Sequence, residues 1–378
     1  MLALEDFDRA ARKHLPRMVY GFIAGAVETG AAQRAAAAAY SDYAFVPRTF
    51  VDVSARKQSI TLFGRDYAVP FGIAPMGGSA IAAYRGDLIL AEAAAVIGQP
   101  MIMSASSLIK LEEVHQQNPA TWFQAYLPGD PSRIEPMVER VKRAGFEVLV
   151  VTGDTPVPGN RENNVRNGYS MPIRITPRVA LDCMLHPRWL VGTIGCTFAR
   201  HGMPHFENME ADRGPPMFSR DLVRNFGSRD KLSWEHIALI RKKWQGPLVV
   251  KGLLSVEDVR RARNIGVDGV IVSSHGGRQL DHAVAPLRVL PRIKAEVPDL
   301  TIMVDGGIRR GTEVLKALAL GAAAVFVGRP YIYAAAIAGA AGVTHASKLL
   351  KDEVDRDMAL LGLTSLRDLS REHLTDAR

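Results

Sequence analysis

The stretch "VIVSSHGGRQLD" (270–281) is an apolar run that stops at a histidine, two glycines and an arginine. An imidazole titrates near neutral pH and a guanidinium grips a carboxylate at two points. His275 and Arg278 together therefore suit proton abstraction from an anionic substrate. Arg161, in "PGNRENN", offers a second hold on the same carboxylate. Lys251 closes the run "PLVVKG", and a buried ammonium needs a partner. That partner is a carboxylate, a substrate carbonyl as in Schiff-base chemistry, or an electron-rich cofactor ring. "DGGIRRG" (305–311) and "VGRP" (327–330) combine glycines, which let a ligand approach the backbone, with Arg309 and Arg329, whose planar heads suit phosphate oxygens.

These residues sit at the ends of short β-rich runs: "AVPFGIAPM" (68–76), "PMIMSAS" (100–106), "TWFQAYL" (121–127), "EVLVVTGD" (147–154), "PLVVKG" (247–252), "GVIVSS" (269–274), "TIMVDGG" (301–307) and "AAVFVGRP" (323–330). Helix-compatible segments such as "SVEDVRRARNIG" lie between them, several closed by glycine. Eight strands alternating with helices predict an α/β fold, a (β/α)8 TIM barrel, with a doubly wound open sheet as the alternative. Chemistry in such a barrel gathers at the C-terminal strand ends. Those ends carry Ala74, Pro75, Met76 and Gly77; Ser104; Gln124 and Tyr126; Thr152 and Asp154; Lys251; Ser273 and His275; Asp305, Gly306 and Gly307; Gly328 and Arg329. The loops after strands seven and eight are where many such barrels bind phosphate.

One unit is interrupted by about 90 residues after strand four, an insertion placed at about 165–232. Its part 170–206 is rich in proline and arginine, with Trp189 and Phe198 expected to be exposed. It reads either as a disordered insertion or as a basic, apolar patch that touches a membrane. Residues 1–67 are expected to form a helical cap, 68–335 the barrel with its insertion, and 336–378 the closing helices of one domain.

The chain's 378 residues, with 47% hydrophobic and 23% charged, suit a globular enzyme. A net charge of +8 fits a site that collects anions, and no nucleic-acid-binding signature accompanies it. Two cysteines, Cys183 and Cys196, make neither a disulfide framework nor a metal site. The N-terminus does not read as a signal peptide, and no run is long enough to span a bilayer. The expected location is cytoplasmic, or peripheral on the inner face of a membrane.

"VSSHGGRQLD", "VKG", "DGGIRRGTEVLKALALGA" and "VGRP" closely resemble the FMN-dependent L-2-hydroxy-acid dehydrogenases and oxidases, a group that includes glycolate oxidase, flavin-type lactate dehydrogenases and mandelate dehydrogenase. The resemblance runs in order from "LPRMVYGFIAGAVE" at residue 15 to "MALLGLTSLRDL" near 369. It implies FMN as cofactor, oxidation of the acid to its 2-oxo acid, and commonly a homotetramer. It assigns His275 as base, Arg278 and Arg161 to the carboxylate, Tyr20 and Tyr126 to the substrate side, and Asp154 to support of the protonated histidine. For the flavin it implies Ala74 to Gly77, Ser104, Gln124, Thr152, Lys251 and Ser273. Its phosphate falls to Asp305, Gly306, Gly307, Arg309, Gly328 and Arg329, and Lys251 to the flavin edge that becomes negative on reduction.

The chain departs from that pattern at Ser274, where relatives carry Asn, at Gly153 and at Asn160. Gly77 and Ser106 favour a substrate larger than glycolate, lactate- or mandelate-like, and a dehydrogenase over an oxygen-using oxidase. The membrane-associated relatives attach through the segment after strand four, which makes 170–206 a candidate quinone-side or membrane contact. The rivals are an FMN-barrel isomerase and a non-catalytic flavin sensor.

Overall fold

The computed structural model describes residues 1–170, 173–219 and 229–377; Met171, Pro172 and residues 220–228 of the expected insertion lie outside the described residues. Eight parallel strands form the centre: β1 (Phe71–Ile73), β2 (Ile102–Ser104), β3 (Trp122–Ala125), β4 (Leu149–Thr152), β5 (Leu248–Leu253), β6 (Gly269–Val272), β7 (Thr301–Asp305) and β8 (Ala324–Val327). Their order is β1-β8-β7-β6-β5-β4-β3-β2, and a parallel bridge between Ile73 and Met101 joins the two edges. The sheet therefore closes, as the eight-unit pattern predicts and the open-sheet alternative does not.

Alternation along each strand explains why the runs are apolar throughout. On β4, Val150 points into the barrel with Trp122, Ile271 and Phe326, while Leu149 and Val151 face the surrounding helices. Each such side chain, fully buried, contributes about 1.5–3 kcal/mol. The barrel's lower end is closed by a hairpin of Ile60–Leu62 and Arg65–Tyr67, whose Tyr67 hydroxyl accepts the Trp122 indole N–H at 3.1 Å. Crossover helices follow the strands, and Gly98 and Gly266 end two of them in the left-handed conformation.

Before the barrel come helices Leu4–His14, Arg17–Ala24 and Ala31–Ala38, and the helical span Arg329–Leu360, broken into two helices by non-helical backbone at Ala338 and Gly339, follows β8. Tyr43–Phe45 pairs antiparallel with Leu374–Asp376, tying the two ends of the chain together. The described part of the insertion is ordered into helices Pro177–Met184 and Pro187–Trp189, with a further helical run to His201. Trp189 departs from expectation. It is 3% exposed, and its indole N–H donates to the Ile81 carbonyl at 2.8 Å. A large amphipathic ring is driven inward wherever its N–H finds an acceptor, so this tryptophan pins the insertion to the barrel. No helix among the described residues is long and apolar enough to cross a membrane.

Candidate active site

The parallel register sets Ser104 beside Gln124 and Thr152 beside Lys251, so the strand ends form one rim. Lys251 is buried, with Nζ 3.0 Å from Asp305 Oδ2 and donating to Ser273 Oγ at 2.8 Å. Burial alone would lower its pKa; the carboxylates of Asp305 and Asp154 more than offset this and raise it. The carboxylate among the three partners left open by the sequence is therefore the one present within the protein.

Around this pair, Gln124 Nε2, Thr152 Oγ1, Ser274 Oγ and Asp305 Oδ1 are buried without a hydrogen-bond partner among the described residues. Each orphaned group costs about 1–3 kcal/mol unless something meets it. Gln124 is turned by Ser104, whose hydroxyl donates to its Oε1 at 2.9 Å. An amide donor, a hydroxyl, a carboxylate oxygen and an ammonium at one rim fit the alternating donors and acceptors of a flavin's polar ring, and the residues present thus fit FMN. Ala74 is bound to β8 through its N–H, which donates to Val327 O at 2.9 Å, so the β1 and β8 ends lie together. Gly328 and Arg329 open the first helix of the span Arg329–Leu360, and such a helix N-terminus favours an anion. Gly306 and Gly307 lie at the end of β7, whereas the Arg309 guanidinium turns back to Ile308 O at 2.7 Å.

His275 holds a left-handed backbone, φ +54°, followed by Gly276 and Gly277 in the same region. That conformation is costly for a residue with a Cβ and persists only where surroundings impose it. Gly277 is obligatory, since a Cβ there would sit 2.6 Å from Gln33 N. The turn delivers the imidazole to Asp154, with Nδ1 2.9 Å from Oδ1, while Nε2 lies 3.4 Å from the Tyr126 hydroxyl. The carboxylate places the proton on Nδ1 and leaves Nε2 basic. The His275 backbone N–H donates to Ser273 Oγ, the same oxygen that receives Lys251. Asp154 has room because position 252 is glycine at φ +101°; a Cβ there would lie 2.4 Å from Asp154 Cγ.

Burial would raise the Asp154 pKa, but the charge and hydrogen bond of His275, with help from Lys251, outweigh it and hold the carboxyl below its ordinary range. A carboxyl depressed in the folded state contributes stability above its unfolded pKa, near 3.9, and loses it as pH falls through the lower folded value. The urea-midpoint deficit of Asp154→Asn relative to the wild type is therefore expected at pH 7 and shrinks below about pH 4. Equal deficits at pH 7 and pH 3.5 would contradict this pairing.

Arg278 is held at the C-terminal end of helix Arg17–Ala24, its Nη1 donating to the carbonyls of Phe22 (2.7 Å), Ile23 (3.3 Å) and Gly25 (2.8 Å). Arg161 Nε donates to Arg278 O at 3.0 Å and its Nη2 to Gln279 Oε1 at 2.6 Å. Arg329 reaches the carbonyls of Ile23, Gly25 and Gly276. None of the three pairs with a carboxylate among the described residues. Burial first, then the neighbouring guanidiniums of Arg161 and Arg329, push the Arg278 pKa well below its ordinary value. Three clustered cations, none in a salt bridge with a carboxylate among the described residues, are the electrostatic signature of an anion site.

Tyr20 is not brought to this cluster as expected. Its hydroxyl donates to Asp8 Oδ1 at 2.8 Å, its ring stacks on Tyr333 at 5.9 Å, and it lines a surface cleft with Arg12, Arg17 and Arg34. The aromatic side chain against Arg278 is Phe22, 5.1 Å from the guanidinium and stacked on Tyr169 at 4.3 Å. Two residues along a helix means a rotation of about 200°, so Tyr20 and Phe22 face opposite ways. Helix phase was the signal that could have chosen between them. Of the departures, Ser274 leaves its hydroxyl buried and unpartnered among the described residues, and Gly153 has space around it, the nearest atom to a Cβ being Lys251 O at 3.9 Å. Gly77 and Ser106 are neighbours: a Cβ on Gly77 would lie 2.8 Å from that of Ser106.

Residues 11–376 match the family model described as FMN-dependent dehydrogenase. The (S)-mandelate dehydrogenase of Pseudomonas putida is 35% identical over 372 residues, covering 98% of this chain and 93% of its own length. The L-lactate dehydrogenase of Ectopseudomonas mendocina is 37% identical over 383 residues, covering 100% and 99%. Among solved structures, the monotopic membrane protein (S)-mandelate dehydrogenase superposes with a TM-score of 0.93 at 34% identity, covering 100% of this chain and 99% of that one. A mandelate oxidase with benzoyl-formic acid gives 0.82 at 34% identity, covering 99% and 98%. Sequence and structure thus agree nearly end to end, and the chain belongs to the FMN-dependent 2-hydroxy-acid dehydrogenase family.

Proposed function

We propose that the protein oxidises a lactate- or mandelate-like L-2-hydroxy acid to its 2-oxo acid, with His275 as the base. The observation that carries this is the imidazole fixed through Nδ1 by Asp154, its Nε2 3.4 Å from the Tyr126 hydroxyl, at the edge of an arginine cluster that makes no salt bridge among the described residues. FMN, when bound, would accept the two electrons and one of the two hydrogens that the substrate loses, leaving the other to His275 as a proton. His275 Nε2 takes up a proton released with them, and Asp154 stabilises the imidazolium. Arg278 retains Nε and Nη2, and Arg161 its Nη1, without a partner among the described residues, and these donors hold the substrate carboxylate. Tyr126 donates its hydroxyl to the substrate.

The FMN ring is held by the β1 end from Ala74 to Gly77, by Ser104, Gln124, Thr152 and Ser273, and by Lys251, whose charge opposes the negative charge gained on reduction. Gly306, Gly307, Gly328 and Arg329 take the phosphate, with Arg309 and Asp305 beside them. Small residues at 77 and 106 leave space for a substrate side chain larger than that of glycolate. Arg278→Lys keeps the charge but loses the two-point grip, so KM for the acid is expected to rise about 10- to 100-fold, as loss of a charged hydrogen bond does. An unchanged KM in steady-state assays would remove Arg278 from the carboxylate site.

The named dehydrogenase relatives favour an acceptor other than oxygen, and the mandelate oxidase keeps the oxidase reading in view. Reoxidation of substrate-reduced protein by air or by a quinone analogue separates the two. The insertion presents Ile175, Leu181, Leu185 and Val191, each more than half exposed, along with Arg174, Arg178 and Arg188. An apolar face rimmed by arginine suits an anionic membrane surface, and a structural relative is described as a monotopic membrane protein. A homotetramer is part of the same proposal, tested by light scattering.

A further inference from the structure

Arg229, near the end of the insertion, opens a short turn, Arg229–Lys231, and its guanidinium carbon lies 4.4 Å from the centre of the Tyr126 ring. The contact is imposed by backbone packing. The turn lies against the loop that follows Tyr126, so tightly that a Cβ on Gly129 would stand 2.3 Å from the Lys231 carbonyl carbon. Only glycine at 129 lets the turn settle there, and its settling puts a cation over the phenol. The same ring carries the hydroxyl that lies 3.4 Å from His275 Nε2.

We propose that Arg229 is a positioning residue for Tyr126: it holds the phenol ring with its hydroxyl toward His275 and strengthens that hydroxyl as a hydrogen-bond donor to the substrate. The inference rests on the reading above, in which Tyr126 faces the substrate. A planar guanidinium over a ring face is attracted by the ring's quadrupole, more strongly where water is excluded. A positive charge beside a phenol also favours its deprotonated form, which makes the O–H the better donor. Burial, followed by the Asp154 charge, raises the Tyr126 pKa, while Lys251, Arg229 and Arg161 pull it down. Arg229 is thus one of three cations acting on this hydroxyl, and the one stacked on its ring.

The test uses FMN-loaded protein with Arg229→Met and Arg229→Lys, each in the wild-type and the Tyr126→Phe background. A 3-fluorotyrosine at position 126, followed by 19F NMR without substrate, reads the phenol directly. Arg229→Met is expected to raise the ionisation midpoint by about 0.5 to 1 pH unit, with Arg229→Lys in between. An unchanged midpoint overturns the proposal. With L-lactate or (S)-mandelate, Arg229→Met is expected to slow flavin reduction about 2- to 30-fold, and less than twofold once Tyr126 is Phe. An equal loss in both backgrounds also overturns it, because Arg229 would then act on the fold or on the substrate itself. Should neither acid reduce the flavin, the oxidation reading fails while the substrate-free NMR still decides whether Arg229 acts on Tyr126.

Discussion

His275→Ala is expected to purify yellow with bound FMN and to lose substrate-driven flavin reduction by about 10²- to 10⁴-fold, the range in which a positioned general base contributes. The rim proposed for the cofactor and the imidazole are built from different residues. Gln124, Thr152 and Lys251 hang from β3, β4 and β5, whereas His275 stands past the end of β6 on a left-handed turn. Its side chain reaches Asp154 and Tyr126 and, among the described residues, makes no hydrogen bond to Gln124, Thr152 or Lys251. Truncating it also leaves Asp154 without its partner, so some stability is lost along with the rate. Stopped-flow reduction by acid, with FMN content measured on the same sample, separates the two effects. Normal reduction kinetics in this variant would remove His275 from the chemistry.

Lys251→Met is expected to destabilise the protein by about 3–5 kcal/mol and to lower FMN retention, because it removes one partner of a buried ion pair. Asp305 lies 3.0 Å from Nζ and is 9% exposed at its side chain, so its charge would be stranded. Ser273 Oγ would lose one of its two donors while still accepting the His275 N–H. Adding Asp305→Asn to Lys251→Met takes away the stranded charge and is expected to restore part of the urea midpoint but not the FMN affinity. A single variant as stable as the wild type, with full FMN content, would contradict the assigned role of this lysine.

The strand ends were legible in the sequence because each barrel strand is buried on both faces and reads as a continuous apolar run, so the first polar residue after it marks the rim. Lys251, His275 and Asp305 were found that way. Contacts between elements distant in sequence were not legible. Arg278 is gripped by the carbonyls that end helix Arg17–Ala24, and Asp281 accepts the Thr29 N–H at 2.9 Å and the Ala32 N–H at 3.0 Å. Together these fold the amino-terminal segment over the site, which no local pattern announces. Phe22 was not legible because a tyrosine two residues earlier on the same helix carries a hydroxyl, and only the helix phase separates the two. Arg229 was not legible because it sits in the insertion and its partner lies more than 100 residues earlier in the chain.

In the proposed reaction the arginine cluster and His275 act together on a 2-hydroxy acid. Anaerobic mixing of the FMN-loaded protein with the L and D forms of lactate and mandelate tests this most directly. The visible flavin absorption is predicted to bleach with an L acid, with one 2-oxo acid formed per flavin reduced, and to persist with the D forms. A protein that binds FMN yet is bleached by no 2-hydroxy acid would contradict this reaction.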